Sequence, residues 1–307
     1  MMLRQATAAW CVAILLTISG CSPSPPALPD DSPTAVAQQI TGSDGDGFLK
    51  EITNFDWRDD GGRAGELLAW VPSDANSADP AAAEQAGKTA FTIAEFLADN
   101  YDDVREAAET NPVLIEAYAV ALKPYLGAMV GEPSGTAGFE PLDPLDSAMP
   151  RTVDVFALIT GTGNSGFIEA ASELASAYED QFADYAAADP TLTTPDARYS
   201  ALAAAARLRG LITAGTRKAG GQPDPTTMGA IYRLDYKLVS RLVHDSAPGI
   251  DPAYFNPDGS LKSADELDDS ASWSHYNSQL GGHLLAYPEL REATNEFRDV
   301  YETIARS

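Results

Sequence analysis

The chain predicts an all-α fold, a multi-helix bundle or helical array that follows a signal peptide and a disordered Pro-rich tether. Apolar residues recur at three- and four-residue spacing along most of the body, as amphipathic helices require. Cap residues and first-turn prolines stand where such helices would begin. Alternating apolar and polar runs closed by hairpin turns are missing.

In chain order, the first segment is an address. Arg4 is the one charge before an apolar run from Ala8 to Ile18, which has the size of a signal-peptide core and is too short to span a bilayer. The run ends Ile18-Ser19-Gly20-Cys21, which resembles a bacterial lipobox: an aliphatic residue, two small residues that admit a narrow peptidase cleft, then the cysteine to be acylated. Residues 1–20 are therefore expected to be a lipoprotein signal peptide, with Cys21 carrying the lipid. Cleavage there removes Cys11, so the exported chain keeps no cysteine that could form an intramolecular disulfide. Residues 21–47 hold Pro23, Pro25, Pro26, Pro29 and Pro33, then Gly-Ser-Asp-Gly-Asp-Gly, and read as a flexible tether reaching on the order of 80 Å at full stretch.

Residues 48–307 read as an α-helical domain. Pro80 to Asn100 carries Phe91, Ile93, Ala94, Phe96 and Leu97, and Pro112 to Val130 carries Leu114, Ile115, Tyr118, Leu122 and Leu126. From Ser165 to Ala188 the stripe is Phe167, Ala171, Leu174, Tyr178, Phe182 and Tyr185. Ala201, Ala204, Ala205, Leu208, Leu211, Ile212 and Gly215 follow, with small residues that permit close helix contact. Ile231, Leu234, Leu238 and Leu242 make another stripe, and Leu290, Ala293, Phe297, Val300 and Ile304 the last. Asp79-Pro80 and Asn111-Pro112 pair a cap residue with a first-turn proline, and Ser263 to Glu266 has the capping-box pattern. Pro- and Gly-rich stretches at 132–150 and 220–223 are the expected places for a subdivision.

Several phrases together resemble an actinobacterial helical region, the "TPR repeat region" of proteins associated with type VII secretion. They are Asp56-Trp57-Arg58-Asp59-Asp60-Gly61 leading to Gly65 and Trp70, Pro124-Tyr125-Leu126, Val155-Phe156-Ala157-Leu158-Ile159, and Arg207-Leu208-Arg209-Gly210-Leu211-Ile212. The likeness spans residues 50 to 219, although no 34-residue period is visible. It implies a surface or secreted interaction module without a known activity.

The 45 acidic residues against 20 basic ones give a net charge of −25, which excludes a phosphate backbone as partner. Motifs for chemistry are sparse. Gly161-Thr162-Gly163-Asn164-Ser165-Gly166 is a formal GxGxxG after the apolar run Val153 to Ile159, but Glu179 and Asp180 fall inside the following helix instead of ending a second strand. A glycine-rich turn between two helices is the competing reading. Asn256, Asp258, Gly259 and Asp265 match four positions of a calcium loop whose first carboxylate is replaced by Tyr254. Ser43 to Gly47 and Asp56, Asp59 and Asp60 are shorter acid clusters. His244, His275 and His283 show no metal-ligand spacing. Trp273, His275, Tyr276 and Asn277 form a polar-aromatic patch, and Arg207, Arg209, Arg217 and Lys218 gather towards a helix C-terminus, where the dipole favours them. The expectation is thus a lipid-anchored envelope protein on the extracytoplasmic face, acting as a non-catalytic interaction module linked to type VII secretion or immunity. No cofactor, metal or catalytic residue is assigned. The alternative is an envelope hydrolase using paired carboxylates.

Overall fold

The structure is a computed structural model that describes residues 24–132, 136–191, 197–223, 229–267 and 270–307. The body is all-α. Its helices are α1 (Pro33–Thr41), α2 (Gly45–Asn54), α3 (Gly62–Glu66), α4 (Trp70–Asp74), α5 (Pro80–Asp99), α6 (Tyr101–Ala107), α7 (Pro112–Leu122), α8 (Leu126–Met129), α9 (Pro150–Gly161), α10 (Ser165–Ala188), α11 (Ala197–Lys218), α12 (Gly229–Leu242), α13 (Ser270–Leu284) and α14 (Pro288–Ala305). Among the described residues there is no strand, only isolated bridges between His244 and Ser246 and between Phe255 and Leu261. No described helix is long and apolar enough to cross a membrane.

In the N-terminal half, α5 packs against α1, α4 and α7, and α3 lies on α7. In the C-terminal half, α11 is the central helix, covered by α9, α10 and α14. The helix α9 joins the halves by touching α5 and α6 as well as α11. Close approach to α11 depends on glycine. A Cβ at Gly215 would lie 2.7 Å from Phe156 Cβ on α9, and one at Gly210 would lie 2.8 Å from Ile304 Cβ on α14.

The expected tether over 21–47 is corrected for its second part. Pro26 is buried and Leu28 packs on the core, so the chain already lies on the body where its description begins. Ser32 accepts from Ala35 N, Pro33 takes the first turn, and Val36 and Ile40 bury one face of α1. Proline-rich composition concealed a two-turn amphipathic helix, because Pro33 starts that helix instead of preventing it.

The run from Pro112 to Val130 is also broken. Pro124 lacks the amide that would continue the ladder, and Lys123–Tyr125 tightens into a 3-10 turn between α7 and α8. The stretch 132–150 is irregular but does not interrupt the core. Phe139 stacks on Tyr125 at 5.1 Å, Met149 is buried, and Asp143 accepts from Thr152 N and Oγ1 at 2.8 and 2.7 Å to cap α9 from outside its own helix. One continuous set of buried residues runs through both halves.

Side chains around the end of α2 and the start of α5 serve the fold. Trp57 is buried and donates from Nε1 to Ile52 O at 2.7 Å. Asn111, expected as a helix cap, makes no cap bond. Its buried amide instead donates to Thr53 O and Phe55 O at 2.9 and 2.7 Å, so the two side chains satisfy carbonyls at the end of α2. Asp79 does cap α5, accepting from Ala81 N at 3.0 Å.

Candidate functional site

Cys21 and the lipobox lie outside the described residues. The other sequence candidates can be located. Val153 to Ile159 is helical within α9, so Gly161 to Gly166 is a turn between two helices and has no strand before it. That turn borders an open cleft of about 700 Å³ between α6 and the C-terminal ends of α9 and α11. Tyr101, Asp102, Arg105, Glu109 and Lys218 supply both signs of charge there, and Lys218 is already engaged by Asp154 and by the Tyr101 ring 4.5 Å away. The calcium-like loop is a tight turn in which Asp258 accepts from Ser260 N and Oγ at 3.0 and 2.6 Å. No group of three or more metal-ligating side chains gathers among the described residues.

The polar-aromatic patch is dispersed by its own packing. Tyr276 is buried and donates to Lys262 O at 2.7 Å, Asn277 is buried, and Trp273 meets Tyr232 edge-on at 5.4 Å. His275 stays exposed beside Gln279, its ring Nε2 2.8 Å from the amide nitrogen. Of the basic cluster, Arg207 donates to Val130 O and Leu145 O, and Arg217 to Ala305 O.

Arg209 belongs to a feature that sequence reasoning missed. Glu179 on α10 is fully buried, and Arg209 on α11 binds it through Nε and Nη2 at 2.8 and 3.1 Å. Lys237 on α12 reaches the same carboxylate at 3.2 Å and also Asp180 at 2.9 Å. Arg241, one turn further on, holds Asp180 at 2.8 Å and Asp184 at 2.5 Å. The seam ties three helices together because residues at i and i+4 share a helix face. Its fixed geometry and filled donors suit positioning more than proton transfer.

Asp235, also on α12, is the opposite case. It is 7% exposed, and its carboxylate forms no hydrogen bond or ion pair among the described residues. Burial pushes its pKa up to about 6, against a smaller opposing pull from Arg298. It faces Gly281 on α13, where an added Cβ would lie 3.9 Å from Oδ2.

The outer face of α7 is a third unusual feature. Val113 and Val120 are 41% and 46% exposed, and with Ala117 they form one stripe. Together with Gly65, Leu68, Ala69 and Glu116 they line a shallow groove of about 240 Å³ against α3 and the segment after it. On the other flank of that segment, Leu28 and Pro29 lie in a cleft with Leu67, Ala69 and Trp70.

No protein-family model, curated protein or solved structure matches this chain.

Proposed function

We propose that the protein is a cell-envelope lipoprotein, anchored through acylated Cys21 on the extracytoplasmic face of the membrane, whose helical body is a non-catalytic protein-interaction module. The observation that carries this reading is Ile18-Ser19-Gly20-Cys21 at the end of a signal-peptide core. Several acyl chains on one residue would anchor firmly, since each buried methylene contributes about 0.8 kcal/mol. The resemblance of residues 50 to 219 to the helical region of type VII secretion-associated proteins supports a secretion or immunity role, with a protein as the partner. A surface rich in acid and a net charge of −25 favour a basic protein surface as that partner.

The test is a crosslinking pull-down on the native membrane-anchored protein, with Cys21→Ala as the unanchored control. Recovery of specific envelope or secretion components from the anchored form alone is the expected result. Robust turnover by the purified mature domain in an activity screen would overturn the non-catalytic reading. The alternative, an envelope hydrolase working through carboxylates, draws its support from Asp235, whose raised pKa is of the kind a general acid needs. Under that alternative, Asp235→Asn abolishes the turnover.

A further inference from the structure

The helix α7, Pro-Val-Leu-Ile-Glu-Ala-Tyr-Ala-Val-Ala-Leu, is apolar nearly all round, with Glu116 its one charge. A helix of that composition is ordinarily covered on every side. Here one side is core, through Leu114, Ile115, Tyr118 and Leu122, while Val113 and Val120 face outward. Val113, Val120, Tyr232 and Leu285 are the exposed large hydrophobic residues among those described, and two of the four belong to this stripe.

The start of the described chain bears on what covers it. Pro26 is buried, and Leu28 and Pro29 are laid into the cleft beside Trp70. Ala69 lines both that cleft and the groove under Val113 and Val120, so the incoming chain and the apolar stripe flank the same segment. Three peptide units separate Cys21 from Ser24, a span of at most about 11 Å. A lipid on Cys21 therefore keeps the cleft that receives Leu28 and Pro29 near the bilayer, with the apolar groove on the adjoining flank of the same segment. The groove itself holds one charged residue, Glu116, while Arg63 and Glu66 of α3 line the adjoining cleft, so the face carries both signs of charge with no basic cluster. That composition fits zwitterionic headgroups better than anionic ones, from which a chain of net charge −25 is repelled.

We propose that the face formed by α3 and α7, with Val113 and Val120 at its centre, rests on the surface of the bilayer beside the anchor, so that the body is close-docked on lipid instead of held at a tether's length. This rests on the lipidation of Cys21 proposed above. Acylation consumes the Cys21 thiol, so one introduced cysteine can be labelled with a fluorophore in the lipidated protein. Val113→Cys reports on the proposed face. Leu285→Cys, at the end of α13 whose main neighbours are α12 and α14, reports elsewhere. On phosphatidylcholine vesicles carrying headgroup nitroxides, the probe at 113 is expected to be quenched and the probe at 285 not. Adding Val120→Glu, at an exposed position, is expected to remove the quenching while helicity and vesicle co-sedimentation persist. Equal quenching at both sites, or none at 113 in protein that co-sediments, overturns the docking. Energy transfer between probes at 113 on two copies, without nitroxide quenching, assigns the face to self-association and also overturns it. Protein that neither incorporates palmitate nor co-sediments removes the lipidation reading itself, and docking falls with it.

Discussion

Asp235 and Glu179 are both buried acids, yet they meet opposite fates. Glu179 has two cations within hydrogen-bonding reach, whereas Asp235 has burial with only a weak pull from Arg298. The folded state holds the Asp235 proton up to about pH 6, while the unfolded chain releases it near 3.8. Between those values the folded form binds more protons, so this group makes stability fall as pH rises, and the full penalty is present above pH 6. Asp235→Asn should therefore leave stability below about pH 3.5 nearly unchanged and raise it at pH 7.5 by about 3 kcal/mol. Denaturant titrations of both proteins at pH 3.5 and 7.5 check this, and identical pH slopes would show the carboxyl to be indifferent. For the other acid, Arg209→Met strips the bidentate partner from a carboxylate with no access to water. It should cost about 3–5 kcal/mol in the same denaturant assay. A loss below 1 kcal/mol would mean that Lys237 suffices.

Elements meet most closely at the glycines of α11. A side chain at 215 would press on both Cβ and the backbone carbon of Phe156, at 2.7 and 3.0 Å, so α9 and α11 would have to separate. Gly215→Ala should thus destabilise despite its gain of about 1 kcal/mol in helix propensity, because overpacking costs about 1–3 kcal/mol. Gly166→Ala in the first turn of α10 meets only Asn164 Oδ1 at 3.7 Å and should be neutral or stabilising. Thermal midpoints of the two variants separate packing from propensity. The helices with long unbroken stripes were legible from sequence, and α10 spans the expected Ser165–Ala188. Short elements were not. The apolar run Val153 to Ile159 has no periodicity that separates a buried strand from a buried helix, and α1 was hidden by the prolines around it. The charge seam was invisible for another reason: its partners stand 30 to 61 residues apart in the chain, and acids and bases are common enough that no pairing is singled out. Asp235 looked like any other acid until α13 and α14 were seen to close over α12.

For the whole molecule, charge and topology dominate. A net charge of −25 repels itself in the compact state more than in the expanded one. Raising ionic strength at pH 7.5 should therefore raise the thermal midpoint, as screening relieves the repulsion of the exposed acids faster than it weakens the buried seam. A midpoint that falls with salt would place the exposed ion pairs, such as Lys50 with Asp103, above self-repulsion. The order of packing has a consequence of its own. The last helix, α14, sets Phe297, Tyr301 and Ile304 against α11, with Thr213 Oγ1 3.4 Å from Tyr301 Oη and Arg217 bonded to the carbonyl of Ala305. A chain delivered N-terminus first leaves that side of α11 bare until the eighteen residues Pro288–Ala305 arrive. The C-terminal half therefore stays open until α14 has been delivered, and a chain cut short before Pro288 leaves an unsealed core whatever the N-terminal half has already achieved.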